Sequence, residues 1–133
     1  MAGLSTALRW AVVIAALEPV EGHEQGGQRR CLVVSYGPFH RSGLVTVCPI
    51  TGARADARYP GDVPIPNGEA GQTRAGVILC QQLRTISSGQ LAGAPIGWVT
   101  DPGLRRQVRQ ALAHHLALDV PGPADGAETI SLR

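Results

Sequence analysis

The chain has 133 residues, 44% of them hydrophobic and 17% charged, which suits one folded domain with its own core and excludes wholesale disorder, collagen and coiled coil. Aromatic residues make up only 4%, against 17 Gly and 10 Pro, a balance that predicts many turns and short strands. The formal net charge of +2 arises from 12 basic and 10 acidic residues, and every basic residue is Arg; Arg suits bidentate phosphate contacts, but composition alone shows no phosphate site.

The first apolar run, residues 10–17, follows Arg9 and superficially resembles a signal peptide. It is too short to span a membrane and leads into Glu18, Glu21 and Glu24, so it reads as a strand of the domain. Apolar, β-rich runs at 11–16, 31–35, 44–50, 63–66, 76–80 and 95–99 predict six strands. Turn chemistry separates them, as in Tyr36-Gly37-Pro38, Tyr59-Pro60-Gly61-Asp62 and Pro66-Asn67-Gly68. Short strands with frequent turns suggest a small barrel or two packed sheets. One helix is predicted from Asp101 as N-cap and Pro102 at its first position to about residue 118, with Leu104, Val108, Ala111, Leu112, His115 and Leu116 on its packed face. Val120-Pro121-Gly122-Pro123 breaks that helix, and 119–133, which carries three acids against one Arg, is expected to be a disordered tail beyond a domain of 1–118.

Cys31, Cys48 and Cys80 are odd in number and lack C-x-x-C spacing, which suggests buried thiols rather than disulfides or a zinc site. No Walker sequence, G-x-G-x-x-G, H-E-x-x-H or G-x-S-x-G is present, so nucleotide cofactors are not expected. His114 and His115 are neighbours on a helix and point about 100° apart, which is wrong for two ligands of one metal. Two features remain. A Gly-rich polar loop, Gly22 to Gly27, delivers Gln28, Arg29 and Arg30 to the start of a strand. The next strand ends Cys48-Pro49-Ile50-Thr51-Gly52, which sets a hydroxyl at a loop edge.

Several ordered blocks resemble the MazF/PemK family of toxin endoribonucleases, the mRNA interferases of toxin–antitoxin systems. Leu17-Glu18-Pro19-Val20-Glu21-Gly22-His23-Glu24-Gln25-Gly26-Gly27 is similar to the family's D-L-x-P-x-x-G-x-E-Q-x-G segment, and Gln28-Arg29-Arg30-Cys31-Leu32-Val33-Val34-Ser35 to its R-P-x-L-V-v-S strand. Val45-Thr46-Val47-Cys48-Pro49-Ile50-Thr51 resembles v-v-x-P-I-T, and Tyr59-Pro60-Gly61-Asp62-Val63-Pro64-Ile65 resembles y-P-f-e-V. Gly76-Val77-Ile78-Leu79-Cys80-Gln81-Gln82-Leu83-Arg84-Thr85-Ile86 is similar to v-x-x-x-Q-i-R-s-i, and Ile96-Gly97-Trp98-Val99 precedes the closing helix. The chain departs from the family where Trp10-Ala11 follows Arg9 in place of G-D or G-E, where Arg30 replaces the usual Pro, and where His40 replaces Asn.

The resemblance implies an α+β fold, mainly β: a small SH3-like barrel of about six strands with a C-terminal helix packed on it. It implies a cytoplasmic, homodimeric toxin that cleaves single-stranded RNA without cofactor or metal and is held in check by a MazE-like antitoxin. Arg29 and Thr51 carry over as catalytic residues, with Glu24 as a third. In such chemistry the RNA 2′-OH attacks the adjacent phosphate, leaving a 2′,3′-cyclic phosphate and a 5′-OH. Arg29 then stabilises phosphoryl charge rather than acting as a base, because a guanidinium stays protonated. Glu24 and His23 are alternative proton acceptors. His23, Gln28, Arg30, Phe39 and Arg84 are expected to bind RNA, Arg84 either through phosphate or as a brace of the barrel. Tyr36 joins Phe39 as a base contact, and Trp10 and Trp98 are expected in the core. A gyrase-binding CcdB-like toxin and a catalytically inactive family member that only binds antitoxin are the alternatives.

Overall fold

The structure is a computed structural model that describes residues 8–17, 22 and 27–118. The elements in chain order are β1 (Ala11–Ala16), β2 (Gln28–Val33), β3 (Leu44–Thr51), β4 (Asp62–Ile65), β5 (Gly76–Leu79), β6 (Arg84–Ser87), β7 (Leu91–Trp98) and helix α1 (Pro102–His115), with short 3-10 turns at Gly37–Ser42, Glu69–Gly71, Cys80–Gln82 and Ser88–Gln90. All pairings are antiparallel. The strand order is β4-β5-β3-β2-β1-β7, and β6 pairs with β3 beside β5. The class is therefore the expected α+β, with two corrections: there are seven strands rather than about six, and the hydrogen-bonded path stays open between β4 and β7 instead of closing into a barrel.

Burial on both faces explains the continuous apolar runs of the central strands. Val12, Leu32, Cys48 and Ile50 face one cluster, which also takes Trp10, Val99 and the helix residues Leu104, Val108 and Ala111. Their neighbours Ala11, Val13, Cys31, Val33 and Val47 face a second cluster with Leu8, Leu17 and Ile86. The three cysteines are buried and free.

Helix α1 begins as expected: the Asp101 carboxylate accepts the Leu104 N–H at 2.7 Å, and Pro102 occupies the first turn. It ends at His115, earlier than 118. Its packed face is also shorter than expected, because α1 lies over β4 and the Cys80–Gln82 turn. Leu104, Val108 and Ala111 are buried, Leu112 is half-buried, and His115 and Leu116 are exposed. Trp10 is in the core as expected, and the guanidinium carbons of Arg105 and Arg109 each lie 5.2 Å from its ring centroid. Trp98 is not: it sits on the edge strand β7 and keeps 42% of its surface exposed. The tail 119–133 lies outside the described residues. Among the described residues no helix is long and apolar enough to cross a membrane.

Candidate active site

The ends of β1, β3 and β4 and the starts of β2, β5 and β7 meet at one end of the sheet, as the antiparallel registers require. The β2–β3 ladder pairs Cys31 with Pro49, Leu32 with Cys48 and Val33 with Val47. Continuing that register by two residues sets Arg29 across from Thr51. Directly opposed residues share a face, so both belong to the face of Cys31, Val33 and Val47. The last observed pair of that ladder, Cys31 with Pro49, leaves Arg29 and Thr51 two residues further on at the same end of the sheet.

Each partner is held by its backbone. Arg29 pairs with Ala15 of β1 and is exposed. Thr51 is buried to 8% exposure and pairs with Val77 of β5. Its Oγ1 accepts the Ala53 N–H at 3.2 Å, which leaves the hydroxyl proton to be donated. Gly76 permits this close pairing, since a Cβ there would lie 2.6 Å from the Thr51 carbonyl oxygen. The adjacent Cys31 thiol is pushed up to about 12 by burial, with Arg84 and Arg29 pulling weakly the other way. It stays a neutral thiol, so no thiolate nucleophile stands here.

The remaining predicted residues divide into three groups. Gln28 and Arg30 flank Arg29 on β2, Gln28 exposed opposite Ala16 and Arg30 half-buried on the opposite face of the strand. Arg84 pairs with Val47 on the Arg29 face, and its Nη1 donates to the Leu17 carbonyl at 3.0 Å. It therefore braces β6 against the end of β1 through a carbonyl oxygen rather than through an ion pair. Phe39 is half-buried in the Gly37–Ser42 turn, beside exposed Tyr36. That turn closes the far end of the β2–β3 hairpin, roughly 16 Å of strand from Arg29, so Phe39 is not brought to Arg29 and Thr51. His23 and Glu24 lie outside the described residues; of the flanking residues, the Leu17 N–H donates to the Gly27 carbonyl at 2.9 Å.

Sequence reasoning missed the residues that order the surroundings. The buried Asp62 carboxylate accepts from Arg54 at 2.7 Å, the Arg58 N–H at 2.9 Å, the Tyr59 N–H at 3.2 Å and Gln81 Nε2 at 3.0 Å. Burial pushes its pKa up, but these donors outweigh burial and bring it down to about 2. This network fixes the loop that follows Thr51. Turn spacing before β4 could have flagged Asp62 as a turn residue, though not as the centre of four hydrogen bonds. Gln72 is buried and accepts from Arg30 Nη1, while its Nε2 donates to the Ala70 carbonyl at 3.1 Å. A groove between α1 and β4, lined in part by Asp62, Gln107, Gln110 and His114, contains neither Arg29 nor Thr51. Among the described residues no three His, Cys, Asp or Glu side chains are grouped as metal ligands.

A family model for the PemK-like, MazF-like toxin of type II toxin–antitoxin systems matches residues 8–116. The chain belongs to this family. It is 36% identical over 95 residues to the endoribonuclease toxin ChpB of Escherichia coli (strain K12), covering 70% of this chain and 80% of that protein. Among solved structures it is similar to MazF (Form-I) from Deinococcus radiodurans, with 28% identity and a TM-score of 0.69 over 82% of this chain and 94% of that chain. It also resembles a chain of the MazE-MazF (Form-II) structure from the same organism, with 26% identity and a TM-score of 0.64 over 86% of this chain and 98% of that chain. The matched span of the family model contains every strand and all but the last residues of the described chain.

Proposed function

We propose that this toxin is an endoribonuclease that cleaves single-stranded RNA with Arg29 and Thr51 as its catalytic residues. The observation that carries this reading is the β2–β3 ladder, whose last pair, Cys31 with Pro49, stands two residues from both Arg29 and Thr51 at one end of the sheet; the endoribonuclease relatives support the activity. RNA supplies its own nucleophile. The 2′-oxygen forms a bond to phosphorus, the bond to the 5′-oxygen breaks, the 2′-OH proton leaves to a base, and the departing 5′-oxygen takes up a proton. Arg29 offers two parallel N–H donors to the non-bridging oxygens as their charge grows, and the Thr51 hydroxyl offers one more. His23 and Glu24 are the proposed proton acceptors, with no cofactor or metal in the cycle. Gln28 and Arg30, next to Arg29 on β2, guide the RNA backbone. The likeness to a MazE-MazF structure supports a MazE-like antitoxin as partner, and we place the protein in the cytoplasm as a homodimer.

The test is incubation of a long single-stranded RNA with the purified protein in EDTA, beside Arg29→Ala and Thr51→Ala, followed by end-group analysis. Discrete cuts bearing cyclic phosphate and 5′-OH ends, lost in both variants, are expected. Undiminished cutting by Arg29→Ala, or 5′-phosphate ends, would refute the assignment. Antitoxin or gyrase binding by a folded protein that makes no cuts would point to the non-nuclease alternatives.

A further inference from the structure

Two arginines outside the Arg29–Thr51 pair stand at the same end of the sheet. Arg30 follows Arg29 on β2 and donates to Gln72, a buried neutral amide that is itself anchored to the Ala70 carbonyl. Arg74, two residues beyond Gln72, is exposed and lays its guanidinium on the backbone of Gly52, the residue after Thr51. The approach is close: a Cβ at Gly52 would sit 2.4 Å from one Arg74 Nη and 2.8 Å from its Cζ, so alanine there would make the end of this flexible side chain shift. The two cations sense each other, since burial first and the Arg74 charge second both lower the Arg30 pKa. Among the described residues neither has a carboxylate within ion-pair distance. A fold that holds two like charges together with a neutral acceptor gains when an anion enters between them.

We propose that Arg74 and Arg30, positioned by Gln72 and Gly52, form a clamp for a second phosphate of the RNA, one neighbouring the scissile phosphate at Thr51. This inference rests on the reading of the site as a ribonuclease. It makes Arg74 a substrate-binding residue, and it gives Gly52 the role of seating that residue.

The test uses the full chain and a short single-stranded RNA that wild-type protein cuts. The cut nucleotide is made 2′-deoxy so that binding can be measured, and methylphosphonate replaces one flanking phosphate at a time. In wild type one flanking replacement is expected to weaken binding by about tenfold. Arg74→Gln should weaken the unmodified RNA to the same degree, lose that flanking sensitivity, and flatten the salt dependence by about 0.7 in slope, one phosphate's share for single strands. Arg74→Lys should restore part of the slope, and Gly52→Ala, which shifts the guanidinium but keeps its charge, should weaken binding less than Arg74→Gln does. Unaltered flanking sensitivity in Arg74→Gln, with RNA still cut by wild type, would overturn the clamp alone. A uniform loss of cleavage with a lowered melting temperature and intact sensitivity would assign Arg74 to bracing the Thr51 turn and overturn it as well. Wild-type protein that neither binds nor cuts RNA would overturn the ribonuclease reading together with the clamp.

Discussion

At the scale of single residues, Arg29 and Asp62 do opposite kinds of electrostatic work. Arg29 is exposed, and on the proposed reading its fork of donors meets a phosphate as that phosphate gains charge. Removal of one such preorganised group costs about 10²–10³ in rate, so Arg29→Ala should lower single-turnover cleavage by that factor. Arg29→Lys should recover little of it, because a point charge does not replace two parallel hydrogen bonds. Asp62 acts instead on the fold. Its carboxyl titrates near 2 in the folded protein against 3.8 for the ordinary group, so the unfolded chain binds the proton first as pH falls. The stabilisation is fully present above about pH 4 and is lost as pH drops toward 2, amounting to about 2 kcal/mol. Urea titrations at pH 5 and pH 2.5 should show that loss in wild type and a smaller one in Asp62→Asn, which starts from a lower stability because Arg54 loses its partner.

At the scale of elements, what could be read from the sequence follows from what buries a side chain. The runs at β1, β3 and β5 are apolar on both faces and stood out as strands. β6 did not, since only Ile86 of Arg84–Ser87 is buried and its pairing to β3 rests on backbone and on the 2.7 Å Thr46–Thr85 hydroxyl contact. β7 was visible only from Pro95 onward because its first half, Leu91 to Ala94, is an edge segment with a register shift and Gly93 at φ +75°. The apolar run of β2 began only at Cys31 for the same reason: Gln28, Arg29 and Arg30 join the ladder through their peptides and not through apolar side chains. Arg29 and Thr51 were legible through family blocks, and only the β2–β3 register showed that they lie toward the same end of the sheet. Gln72, Arg74 and Asp62 carry no periodic signal, because their partners are backbone groups and side chains distant in sequence. The helix signals were local and strong. Asp101→Ala should therefore cost about 1 kcal/mol by loss of the N-cap, and Val108→Ala about 2 kcal/mol by opening a cavity under α1, both checked by denaturant midpoints at unchanged m-value.

At the scale of the whole molecule, charge is organised rather than abundant. The net charge is only +2, yet Arg29, Arg30 and Arg74 lie toward one end of the sheet, while the turn carrying Tyr36 and Phe39 closes the opposite end of the same hairpin. On the proposed reading an RNA at the first end is gripped through phosphates, and affinity should fall with salt at a slope of about −2 if these three arginines meet the backbone. A slope near zero in a filter-binding series would contradict that grip. The central claim is that this end of the sheet assists the RNA's own 2′-OH. The most direct measurement is single-turnover cleavage of one RNA oligonucleotide and of its twin with a single 2′-deoxy nucleotide at the cut. The account predicts complete loss of cleavage in the twin with binding retained; cleavage of the twin at a comparable rate would show that another nucleophile attacks the phosphate and would contradict it.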